Sequence, residues 1–591
     1  MMAKNKLLLI IINIITVTIF QSCDSNLLDT IPTNEVSSQS IWTNSNLATL
    51  AVTGVYNQLR SNYTTNEASR PMWDLRSSIL DYDANWIGSV PQLRGTATPQ
   101  SNDYLNYWKR LFEPIHRAND VIANISTVPD MADNKKAQFI AECKFLRAYF
   151  YTKLNILWKG VPLYLEPVKA SEANRARSSE SEVWDAIIND LSDAINEPNL
   201  PDRYIGGNSD YGRVTKGAAY AFRGHVYMWL KKYDLAVNDF LKVTEMGHTL
   251  FTNYKTLFKE PNEKVDEMIF SIQFIEQSGS GNPFSWSFGN RGSAGAGWNN
   301  YIPNIDFVNS YENINGKPFN WEDYLPGYNS MTPKARSVFF LRDNMTAAEI
   351  ATLTTYGADM TKYLPNGNEA RIKAAYENRD PRLKMNIITP YSTYLGGLTG
   401  KEINYTLRWP YRGSDNAEPF DLRTDANSKF YYLSRKFVFE GREHIYQRYS
   451  PIDLPLIRYA GVLLNLAEAY NELNNQTEAI KYVNLVRKRA GVQELNTNSY
   501  TTVIDQDDLR TRIRNEKYWE LPFEEHMYFE ELRWRTWKDK KFKPNNGLTE
   551  IWGTTTYTYS WVGDQNWTWP VPSSEIEMNR NLLPQNEGWV N

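Results

Sequence analysis

Cysteine is almost missing from this chain. Only Cys23 and Cys143 occur in 591 residues, too few for a disulfide framework once Cys23 is assigned as below. Cys143 falls inside a helical pattern, Ala137 to Leu154, and reads as a small buried hydrophobe. Histidine is scarce too. His116, His225, His248, His444 and His526 show no spacing of three or four, so no HExxH zinc site exists. There is no GxSxG elbow and no P-loop, and the glycines at 295 and 297 lack a strand-turn-helix frame. Charge of one sign is also lacking. The formal net charge is −4, which leaves no electrostatic footprint for nucleic acid. No segment after residue 22 approaches 18 uninterrupted apolar residues, the length that would mark a membrane span.

The N-terminus does carry an apolar segment. Lys4 and Lys6 give a basic start, and Leu7 to Phe20 is a mostly apolar run of 14 residues. That is short of the ~20 needed to cross a bilayer and has the length of a secretory h-region. Ser22 precedes Cys23, and Asp24, Ser25 and Asn26 follow. A thiol at a cut site reads as a lipid attachment point, as in bacterial lipoproteins. Ordinary secretion, with Cys23 in a free or discarded tail, is the alternative. Removing residues 1–22 takes the net charge to −6, and membrane anchoring then rests on lipid alone.

Helical periodicity dominates both ends of the mature chain. Residues 137–157 and 179–197 each read as amphipathic helices, the second opened by a Ser179/Glu182 capping box. Residues 214–231 pair with 233–247, and 455–473 with 475–490, where Asn475 is the N-cap. Both pairs fit the 34-residue tetratricopeptide register. Tyr220, Gly224, Tyr227, Ala236 and Phe240 fill its key positions in one, and Leu463, Ala467, Tyr470, Ala479 and Val483 in the other. The small residue lets two helices approach, and the aromatic fills the gap beside it. A third copy begins at Ala148 and Tyr151, but a loop from 158 to 178 interrupts it. The predicted fold is mostly α: a tetratricopeptide-like scaffold with a large irregular, loop-rich half and a few short strands. Its divisions are a signal peptide (1–22), an N-terminal helical region (23–270), a loop-rich insertion (271–452) and a C-terminal region (453–591). The insertion is rich in Gly, Asn, Ser, Tyr and Trp, as in 278–282 and 289–297. Strand-like runs at 268–274 and 430–439 punctuate it. Long ordered loops of this kind are where binding residues usually sit.

Aromatics make up 14% of the chain, with 19 Trp, 37 Tyr and 24 Phe, more than a helical core needs. Residues 72–87 read MWDLRSSILDYDANWI and hold Trp73, Arg76, Asp81 and Trp86. The central loops add Trp286, Trp298, Tyr301 and Trp321, mostly beside Gly, Ser or Asn. Sugar rings stack their C–H faces on indole and need Asp, Asn and Arg for their hydroxyls. These eight residues are the candidate saccharide site. Each tryptophan taken alone also fits a loop anchor. Asp81 and Asp83 offer hard oxygens that a structural calcium would take; no other cofactor is expected. The densest carboxylate cluster, Glu516 to Glu531, has a helical period and reads as a solvated face.

Several segments resemble the SusD/RagB family of surface glycan-binding lipoproteins of the Bacteroidetes. They are Cys23 followed by Leu28-Asp29-Thr30-Ile31-Pro32, Arg147-Ala148-Tyr149 through Gly160-Val161-Pro162-Leu163, and Gly212-Arg213-Val214-Thr215-Lys216. Leu454-Pro455-Leu456-Ile457-Arg458-Tyr459-Ala460, the run Arg514 to Glu524, and the ending Trp569-Pro570-Val571-Pro572 through Gly588-Trp589 are also similar. Lys159, Gly461, Glu525 and Met527 depart from the family pattern. The resemblance implies four tetratricopeptide-like units, no catalysis and an outer-membrane lipid anchor at Cys23. It also implies a SusC-like TonB-dependent transporter that receives captured polysaccharide or oligosaccharide. The family's ligand site, by the same resemblance, draws on the segment near 73–86 and on the central loops. Rival readings are peptide capture of the RagB type, a secreted glycosidase with a carboxylate pair ~5–9 Å apart, and a purely structural transporter lid.

Overall fold

The computed structural model describes residues 41–64, 73–83, 90–398, 400–413, 417–424, 429–544 and 546–590. Cys23, the 28–32 segment and Trp86 lie outside these residues. No described helix is long and apolar enough to cross a membrane.

Helices form where the 3.6-residue period runs. The longer ones are α1 (Ser45–Thr64), α2 (Asn102–Asn124), α3 (Asp133–Trp158), α4 (Glu180–Asn196), α5 (Lys216–Trp229) and α6 (Tyr233–Thr244). After the irregular half come α7 (Tyr459–Glu472), α8 (Gln476–Ala490), α9 (Gln506–Glu520) and α10 (Met527–Trp534). The capping box at Ser179 and Glu182 is formed, and the Asn475 side chain caps α8. The tetratricopeptide register holds at atomic scale. A Cβ on Gly224 would lie 2.7 Å from the Phe240 ring, so only glycine lets α5 and α6 approach this closely. Ala467 is buried at the equivalent crossing of α7 and α8.

The strands are short: β1 (Leu80–Tyr82), β2 (Met268–Ile272), β3 (Tyr301–Pro303), β4 (Thr393–Gly396), β5 (Ile403–Thr406) and β6 (Leu454–Arg458). Residues 455–458, expected as the first turn of a helix, instead pair antiparallel with β2. Pairing with a buried strand overrides local helical period there, and α7 starts only at Tyr459, whose N–H bonds to the Glu267 carbonyl.

The acidic run 516–531 is the main correction to the sequence reading. Glu516, Glu520, Glu524, Glu525, Glu530 and Glu531 are all buried, not solvated. Arg458 reaches Glu267 (2.7 Å), Glu520 (2.6 Å) and Glu524 (2.6 Å). Arg382 holds Asp380, Glu516 and Glu520, and Arg487 joins Glu516 to Glu312. Lys517 and Arg533 both clamp Glu468 and Glu530. Arg458, Arg382 and Arg487 arrive from distant parts of the chain, so the local period could not reveal them. Burial alone would raise Glu520, but Arg489, Arg458 and Arg382 outweigh it and hold this carboxyl down to about 2.

Candidate functional site

β1 and β3 pair antiparallel with Asp81 opposite Ile302, and the Asp83 N–H extends the pairing to the Asn300 carbonyl. This ladder carries a tight loop between 284 and 300. Backbone bonds cross it: Trp298 N–H to Trp286 O (2.8 Å), Asn299 N–H to Gly289 O (2.8 Å) and Asn300 N–H to Ser287 O (2.8 Å). Its closure requires glycine. A Cβ on Gly289 would sit 2.0 Å from the Ser285 carbonyl oxygen, and one on Gly297 2.2 Å from the Gly289 backbone. The glycine-rich stretch therefore brings two tryptophans together.

Trp286 and Trp298 meet edge to face, with ring centroids 6.1 Å apart. Trp286 is half-buried, while Trp298 is 43% exposed. Arg291 lies over the Trp298 ring at 4.8 Å, and the exposed Arg448 over the Trp286 ring at 4.7 Å. Stacking of this kind fixes the guanidinium plane. The 445–450 segment forms the neighbouring wall. Gln447 donates to the Gly295 carbonyl, and Ile445 and Tyr446 are exposed. The result is a small aromatic platform edged by cations. Arg448 and Tyr446 were not among the expected site residues. Nothing local signals them, since they sit about 150 positions from the loop they join.

The other expected residues divide differently. Five are interior, which corrects the expectation that they face a ligand. Trp73 packs against Tyr107, Phe529 and Trp569, and Arg76 covers Trp73, Tyr107 and Trp569 within 5.6 Å. Tyr301 packs on Tyr82 and Phe288. Trp321 stacks on Tyr328 and meets Phe319, Phe340 and Tyr376. Loops this long must bring their own apolar plugs, and these aromatics serve as them. Asp81 is also spent internally. Its carboxylate accepts from Lys541 (3.2 Å), Tyr559 (2.6 Å) and Asn304 (2.8 Å). The Lys541 ammonium already occupies the place a calcium ion would need, so this carboxylate does not fit calcium. Trp86 lies outside the described residues.

Between α3, α5, α7 and the segment after α9 lies an enclosed cavity of about 90 Å³, lined by Lys153, His225, Glu525 and His526 among others. Burial pushes the Lys153 ammonium down to about 7 and His526 to about 4. At ~30 Å³ per water the space suits a few waters, not a saccharide.

Comparison with known proteins fits this architecture. A sequence model of the SusD family matches residues 266–589, and one described as "Starch-binding associating with outer membrane" matches residues 25–228. SusD-like protein P25 of Formosa agariphila is 24% identical over 553 residues, covering 90% of each chain. Among solved structures, a SusD-like carbohydrate binding protein of Bacteroides fragilis superposes with a TM-score of 0.68 at 24% identity. The match covers 92% of this chain and 100% of that one. A laminarin binding SusD-like protein gives a TM-score of 0.62 at 20% identity, covering 93% and 100%.

Proposed function

The chain belongs to the SusD family, and on that premise we propose that it captures polysaccharide or oligosaccharide at the cell surface without cleaving it. The captured glycan passes to a SusC-like TonB-dependent transporter, and acyl chains on Cys23 hold the protein to the outer membrane. One observation carries the binding reading: the exposed Trp298, set edge to face with Trp286 and flanked by Arg291 and Arg448. A pyranose can lay its C–H face on the exposed Trp298 indole while the Arg448 guanidinium donates to its hydroxyls. The saccharide-binding names of similar chains support the same class of ligand. The fold supports a preformed surface, because the loop is closed by its own backbone bonds.

The test is native electrophoresis of the whole mature protein in gels containing a panel of polysaccharides, with a peptide digest as competitor. Retardation by at least one glycan, with no glycan product released on long incubation, is the expected result. Loss of retardation to peptide competitor would replace this reading with peptide capture, and product release would make the protein a glycosidase.

A further inference from the structure

A wide cleft lies away from the tryptophan pair. It encloses about 670 Å³ and is lined by Lys255, Lys373, Arg379, Lys384 and Arg435. Glu377 is the single carboxylate among its lining residues. Such a surplus of cations stands out on a chain whose net charge is −4. Lys255 and Lys373 are exposed at the rim and form no ion pair among the described residues. Lys384 reaches only the Glu377 backbone carbonyl. Arg435 pairs with Glu440, whose charge also acts on Lys255.

Arg379 makes the surplus harder to dismiss as surface decoration. It is 2% exposed and stacks on Phe319 at 3.5 Å. Its Nε and Nη2 donate to the carbonyls of Tyr311 and Val308, but Nη1 has no hydrogen-bond partner among the described residues. The adjacent Asp380 is committed to Arg382 at 2.6 Å. Burial pushes Arg379 down to about 10. A buried cation without a carboxylate is costly unless an anion arrives. Met385 and Pro390 add apolar wall suited to C–H faces.

The cleft also lies near the proposed platform. Thr393, at its edge, begins β4. Just past the strand's end, the Gly397 N–H bonds to the Gly292 carbonyl in the tryptophan loop. Four strand residues span about 13 Å. β4 thus connects the edge of the cleft to the tryptophan loop.

From the cleft's charge and its buried Arg379, we infer that it is a second binding site, for the carboxylate or sulfate groups of an acidic saccharide. The inference rests on the glycan-capture reading and narrows it: the ligand is an acidic glycan. Rim lysines act over a screening length of ~8 Å at physiological salt, so affinity falls as salt rises.

Calorimetry tests this with a galacturonate trisaccharide, a sulfated trisaccharide, a size-matched neutral glucan trisaccharide and inorganic sulfate. The proteins are the wild type, Lys373→Glu/Lys384→Glu and Trp298→Ala; the two lysines are exposed, and a thermal melt verifies that the double variant folds. The expected result is at least a tenfold preference for one acidic trisaccharide over the neutral one. Charge reversal abolishes that preference, and Trp298→Ala leaves it in place. Equal affinity for acidic and neutral sugars overturns the inference, as does a preference that survives charge reversal. Inorganic sulfate competing as well as the acidic sugar overturns the saccharide assignment. A neutral polysaccharide held through Trp298, without acidic preference, sinks this inference and leaves glycan capture standing. Failure of every glycan to bind sinks both.

Discussion

Arg458 and Arg448 stand ten residues apart in sequence and live in opposite worlds. Arg458 is fully buried and bonded to three carboxylates. Arg448 is exposed, stacked on an indole, and forms no ion pair among the described residues. The tryptophans divide the same way: Trp73 is walled in by aromatic rings, whereas Trp298 offers nearly half its surface to solvent. Residue type does not separate scaffold from site in this molecule. Exposure and the identity of the neighbour do.

The sharpest way to break this contrast is at the scaffold. Arg458→Ala removes the cation shared by three buried carboxylates and should cost about 3–5 kcal/mol, read as a large drop in the chemical-denaturation midpoint. A midpoint within error of wild type would mean the network is solvated after all. Trp73→Ala should cost a similar ~3–5 kcal/mol through its cavity while leaving glycan affinity per folded molecule unchanged. Selective loss of binding would return Trp73 to the site. Trp298→Ala should do the reverse. Its melting temperature should match wild type, and affinity for the retained glycan should fall about thirtyfold, or ~2 kcal/mol. Unaltered binding would remove the platform from the account.

Acid gives the gentlest probe. The Glu520 carboxyl is held down to about 2, below its usual value near 4.5. A depressed folded value makes its contribution complete above about 4.5 and lost as pH falls from there toward 2. Stability measured across that window should decline with acid, and Arg458→Ala should flatten the decline. An equal slope in both proteins would show that other carboxylates dominate.

Much of the scaffold was legible because helices announce themselves locally. Ser179 with Glu182, and Gly224 with Phe240, lie within one turn or one helix pair, and both behave as their spacing implies. The β6 strand was misread because its partner is β2, nearly 200 positions away. The acidic run failed for a similar reason, since Arg382 and Arg458, which hold Glu516, Glu520 and Glu524, lie more than 60 positions away. In the candidate site, the Gly-rich stretch rightly marked an ordered loop, but which aromatics fill the interior depends on packing between distant segments. Trp321 beside Tyr376 and Trp73 beside Trp569 are contacts of that kind.

The Trp158 indole donates to the Pro570 carbonyl, the Trp569 N–H returns to the Leu157 carbonyl, and Asn586 reaches the Trp158 carbonyl. The end of α3 is thus sealed by residues made more than 400 positions later. Time enters here. A chain emerging N-terminus first has its helix pairs early but must hold Trp158 uncovered until its last residues arrive, and contacts of such long sequence separation form slowly. While it is being made the chain thus carries an aromatic surface still waiting for its lid, which makes synthesis, more than the finished fold, the moment of greatest exposure to aggregation.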